Sequence, residues 1–124
     1  MSVRTTKKHY ALFVKEVERW AAAFGFRDWK LYTYHSKLDP GNFAECEWDL
    51  GHRVAYLRLS THLSDEAAPP TVASIKRVAL HECLELLLCQ CTTTMREARP
   101  RDFVSCETHK IIRVLENVLA GEAK

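Results

Sequence analysis

"VALHECLELLL", residues 78–88, sets His81, Glu82 and Glu85 inside an otherwise apolar run. With "TVASIKR" before it and Cys89-Gln-Cys91 after it, the stretch from Thr71 to Cys91 reads as one helix, apolar nearly all round. A helix of that kind is central and buried, so the rest of the chain is expected to cover it. Burying an unpaired carboxylate costs several kcal/mol, which makes two glutamates there harder to account for than the histidine.

His81 and Glu85 are one turn apart, about 40° on a helical wheel, and Glu82 points about 100° away from His81. A histidine and a glutamate at that spacing can share one metal ion. In zinc hydrolases built on His-Glu-x-x-His, the glutamate after the first histidine is the general base that activates water. This chain has His-Glu-x-x-Glu: Glu82 and one imidazole stay, and a carboxylate stands in place of the second imidazole. A hydrogen-bonded core histidine is the plainer reading, and these residues alone leave the two balanced.

Working toward the N-terminus, residues 60–70, "STHLSDEAAPP", form a polar loop with two prolines. "FAECEWDL" and "RVAYLRLS" each alternate and flank Leu50-Gly51, the pattern of an antiparallel hairpin. "WKLYTY" (29–34) reads as a third strand, set off by the turn signal Asp39-Pro40-Gly41 in "SKLDPGN". Tyr10, Phe13, Val14, Val17, Trp20, Ala21 and Phe24 keep helical spacing, predicting a first helix from about residue 5 to Phe24, stopped by Gly25. The fold class expected is α+β: an N-terminal helix, a three-stranded antiparallel sheet, the buried helix and a C-terminal helix.

Toward the C-terminus, Thr92–Arg101 reads as a loop closed by Pro100, followed by a helix from Arg101 or Asp102 to about Ala120, with Gly121 after it. With Ile111 as the centre of its apolar stripe, Val104, Leu115 and Val118 fall within roughly 40°. Glu107 then lies about 40° to the other side, on the core-facing stripe, whereas His109 falls about 160° away with Arg113 and Glu116, toward solvent. Glu107 is therefore the expected third metal ligand beside His81 and Glu85. A salt bridge from Glu107 to Arg77 or to His81 is the competing reading.

Length and composition bound the rest. The 124 residues suit one domain, 1–124, and 47% hydrophobic with 27% charged residues is ordinary globular composition. A formal charge of +2 gives no support to a nucleic-acid partner despite Arg4, Lys7, Lys8 and His9. No stretch is long and apolar enough to span a membrane and no signal-peptide pattern opens the chain, so a cytoplasmic location is expected. The five cysteines, an odd number without a Cys-x-x-Cys pair, are read as reduced thiols.

The amphipathic first helix, the Trp29 strand, "AECEWDLGHRVAYLRLS", the proline-bearing loop, "ALHECLELLL" and "ETHKIIRVLENVL" together resemble the small phage- and prophage-encoded metallopeptidase-like proteins. These are minimal zincins of gluzincin type, related in layout to SprT-like proteases. The resemblance implies a zinc ion held by His81 and Glu107, with Glu82 as catalytic general base and an edge strand, expected to be "VAYLRLS", aligning a peptide or protein substrate. Tyr56 and His62 are candidate helpers at the oxyanion, although no spacing selects them.

Glu85 departs from the family pattern. A site of one imidazole and two carboxylates is harder than usual, so Mn2+ or another divalent ion competes with Zn2+. The added negative charge also raises the pKa of bound water. The expected function is a metal-dependent peptidase. The alternative is a catalytically inactive zincin-like protein that binds a host protein, such as a component of a defence system, in the host cytoplasm if phage-encoded.

Overall fold

The computed structural model describes residues 3–120. Its elements are α1 (Lys7–Phe24), β1 (Lys30–Ser36), β2 (Ala44–Asp49), β3 (Val54–Ser60), α2 (Val72–Leu87), α3 (Cys89–Ala98) and α4 (Arg101–Leu119). The architecture is α+β, with helices packed on one face of a three-stranded sheet. The described residues include no helix long and apolar enough to cross a membrane.

Local chemistry fixes the ends of these elements. Thr6 and Thr71 cap α1 and α2, each accepting a hydrogen bond from the backbone N–H three residues on, while the His9 and Ser74 side chains accept from the cap N–H groups. Gly25 ends α1 in the left-handed region at φ 74°, where a side chain would be strained. Arg99 is extended, as a residue before proline prefers, and Pro100 starts α4.

The sheet is mixed, which corrects the expected antiparallel arrangement. Its order is β1-β3-β2: β3 pairs antiparallel with β2 through the expected hairpin and parallel with β1. The reason lies in "SKLDPGN", which is too long for a tight hairpin. It carries the chain past the end of β3, where Leu38 N–H donates to Ser60 Oγ and Ser60 N–H to the Phe43 carbonyl. "VAYLRLS" is thus the central strand and cannot receive a substrate; β2 is the edge strand beside α2.

The second correction is α3. The segment expected as a loop from Thr92 is helical to Ala98, and Leu88 is the joint between α2 and α3. Hydrogen bonds run across it, from Leu88 N–H to the Leu84 carbonyl and from Thr92 N–H to the Leu88 carbonyl. Propensity disfavours three consecutive threonines in a helix, but burial of Cys89 and Thr92 overrides it.

The core joins Phe13 and Val17 of α1 and Ala55, Leu57 and Leu59 of β3 to Ile75, Ala79, Leu80, Cys83, Leu84 and Leu86 of α2, with Ile112 of α4. α2 is central, as its composition requires. One side of α2 faces α4 and another faces the β2 edge, and these two sides carry the polar residues.

Candidate metal centre

His81 and Glu85 project together from α2. The His81 Nε2 atom lies 3.0 Å from Glu85 Oε2. α4 brings two residues against them. His109 Nε2 is 3.6 Å from the same Glu85 oxygen, and Glu116 Oε2 is 2.6 Å from His81 Nδ1. The two imidazoles lie nearly parallel, 5.7 Å between centroids at 26°.

Glu107, expected here, is elsewhere: its side chain is 38% exposed and pairs with Lys110 at 3.0 Å, one turn along the surface. The physical reason is the phase of α4. Ile111 is 50% exposed whereas Ile112 is fully buried, so the inward stripe is centred one residue later than the wheel assumed. About Ile112, Glu116 lies about 40° and His109 about 60° away, while Glu107 lies about 140° away. His109 and Glu116, which the wheel turned outward, face the site. One sequence signal could have found them: His109 and Glu116 are seven residues apart, so they share a face.

The donor set fits a divalent ion. The ligand atoms of His81, Glu85 and His109 all lie within 4.8 Å of one another, the one such group of His, Cys, Asp or Glu among the described residues. Ligand atoms about 2.0–2.1 Å from a tetrahedral ion stand roughly 3.3–3.4 Å apart, between the two separations of 3.0 and 3.6 Å. The other ring nitrogens are engaged as a ligating histidine requires. His81 Nδ1–H donates to Glu116, and His109 Nδ1–H donates to the Ser105 carbonyl at 2.8 Å. Glu116, only 5% exposed, is in turn 3.6 Å from the Arg77 guanidinium.

Glu82 points away from this group toward β2. It is 4% exposed, and its side chain has no hydrogen-bond or ion-pair partner among the described residues. Burial pushes its pKa up to about 8, with the charge of Glu85 adding to the rise. His81 moves up to about 9, first through its hydrogen bond to Glu85 against the opposing effect of burial, then through the charge of Glu82 and the bond to Glu116. The neighbouring Cys46 and Cys83 thiols are also pushed up, mainly by burial and then by Glu82, so they stay protonated and are poor ligands.

His81 and Glu82 line both lobes of a cleft between α2 and β2. One lobe, about 410 Å³, includes Phe43, Ala44, Arg77 and Glu116; the other, about 360 Å³, includes Glu45, Cys46 and Glu85. Tyr56 is not near it, since its ring stacks on Tyr32 on the far side of the sheet. His62 bonds to Thr61 and pairs with Arg4 in a short bridge. Comparison with protein-family models, with curated proteins and with solved structures gives no match.

Proposed function

We propose that the chain is a metal-dependent hydrolase of peptide bonds, with His81, Glu85 and His109 as metal ligands and Glu82 as general base. The observation that carries this reading is the convergence of donor atoms from His81, Glu85 and His109, of which His81 and Glu85 line a cleft together with the buried, unpartnered Glu82. Two imidazoles and one carboxylate are a set used by catalytic zinc, which favours Zn2+ over the harder ions expected for a one-imidazole site. When bound, such an ion supplies Lewis acidity toward a carbonyl and lowers the pKa of water.

The chain's own residues supply the rest. Glu82 takes a proton from the attacking water and passes it to the leaving nitrogen. Glu116 fixes the His81 tautomer so that Nε2 faces Glu85, and Arg77 offsets the charge of Glu116. The free edge of β2 offers main-chain groups to an extended substrate along the cleft. This reading keeps the activity that the resemblance to phage metallopeptidase-like proteins implies, with Glu85 and His109 in place of Glu107 beside His81.

A second reading has an observation of its own. The contacts at 2.6 and 3.0 Å make Glu116, His81 and Glu85 an ion-pair network that is satisfied without any metal, which supports the alternative of a catalytically inactive zincin-like protein. Metal analysis of the purified protein separates the two. Stoichiometric zinc, lost in His109→Ala and kept in Glu107→Ala, is the expected result, and Glu82→Gln should keep the metal while abolishing hydrolysis of a casein substrate. A metal-free protein that zinc does not stabilise would remove the hydrolase reading.

A further inference from the structure

The sheet face turned away from the helices has a chemistry of its own. Ala55, Leu57 and Leu59 of β3 are fully buried, so strand alternation directs Val54, Tyr56 and Arg58 to the opposite side. The register then lays three rows across the strands: Lys30, Val54, Asp49; Tyr32, Tyr56, Glu47; Tyr34, Arg58, Glu45. Tyr32 and Tyr34 are each 45% exposed. The Tyr56 ring stacks on Tyr32 at 5.7 Å and 21° and on Tyr34 at 6.3 Å and 27°, making a ladder of ring faces. Beside this ladder runs the carboxylate column of β2.

We propose that this face docks an arginine-bearing polypeptide segment. The face already holds one guanidinium in that manner: Arg58 lies 5.7 Å from the Tyr56 centroid and 5.8 Å from that of Tyr34, and it contacts both Glu47 and Glu45. Two glutamates share this one arginine, so the column keeps excess negative charge for a partner's cation. Stacked tyrosines on a sheet can also receive nucleic-acid bases. Here a phosphate backbone would meet Glu45, Glu47 and Asp49, and with Arg58 committed to the glutamates, Lys30 is the cation left in the three rows. Charge complementarity therefore selects a basic peptide. Docking does not require the metal group. Because Glu45 and Glu47 also rim the cleft, a docked chain would continue toward it.

The test is fluorescence anisotropy, in chelator, with a labelled arginine–serine repeat peptide, a lysine–serine repeat of equal length and single-stranded oligothymidylate. Saturable binding of the arginine peptide is expected, with weaker binding of the lysine peptide because a planar guanidinium stacks better than an ammonium. Tyr34→Leu, which keeps apolar area but removes the ring, and Glu47→Gln should each weaken binding by about two- to fivefold. The Glu47 side chain is 65% exposed, so the variant is expected to fold, which its circular dichroism spectrum checks. Equal affinity in both variants and the parent would overturn the proposal, as would tighter binding of oligothymidylate or sedimentation showing this face buried in a dimer of the chain.

Discussion

Glu116 is a buried carboxylate held between two cationic partners. Its carboxylate is 5% exposed, bonded through one oxygen to His81 Nδ1 and approached at the other by Arg77. A residue that only filled space there would be apolar. If it orients a metal ligand, Glu116→Gln should weaken zinc binding by about 10–100-fold, the usual effect of losing the outer partner of a ligating histidine. Competition titration against a chromophoric chelator measures this, and Glu116→Asp should recover part of the loss. In long-range 1H–15N spectra of the zinc-loaded parent, His81 should carry its proton on Nδ1; a proton on Nε2 would show that His81 does not coordinate through that atom. His81, Glu82 and Glu85 were legible in sequence because a polar triplet stands out in an apolar helix. Glu116 was not, because on an amphipathic helix a glutamate reads as solvent-facing by default.

At the scale of the element, the site depends on the rotation of α4 about its own axis. "KIIRVLENVL" places two isoleucines side by side, and either could head the inward stripe; sequence periodicity shifts by about 100° according to the choice. Tertiary packing decides it: Val104, Ile112 and Glu116 are buried, while Phe103, Ile111, Val114 and Val118 are each at least half exposed. Ile112→Ala should therefore cost about 2–5 kcal/mol in urea unfolding, as buried aliphatic truncations do, and Ile111→Ala well under half of that. The reverse order would mean that Glu107, not Glu116, faces α2. The strands teach a similar lesson. Alternation identified all three and the β2–β3 hairpin, yet strand order depends on where a connection crosses: the length of "SKLDPGN" permits a crossing past β3, but its turn residues do not distinguish that from a hairpin. α3 was hidden for a different reason, since its threonines argue locally for a loop and only contacts distant in sequence make it a helix.

For the whole molecule, the two raised pKa values make stability depend on pH in a direction that metal should oppose. His81 binds its proton more tightly folded, at about 9 against 6.5 unfolded, so its contribution is complete below pH 6.5 and is lost as pH rises through about 9. The Glu82 pKa is about 8 folded against 4.5 unfolded, so its contribution is complete below 4.5 and is lost as pH rises through about 8. Both slopes have the same sign: in chelator, the melting temperature should fall across the interval from pH 6.5 to 8, where both groups act. Glu82→Gln has no carboxylate to desolvate and should show a shallower fall over the same interval. Zinc must displace the proton from His81, so its stabilisation should grow with pH, with a larger upward shift in melting temperature at pH 8 than at pH 6.5. Differential scanning fluorimetry of the parent and Glu82→Gln, each with chelator and with excess zinc, reads all of these slopes. A zinc shift that is independent of pH would place the ion away from His81, and a chelator-treated parent that is as stable at pH 8 as at pH 6.5 would mean that neither residue is held as the geometry requires.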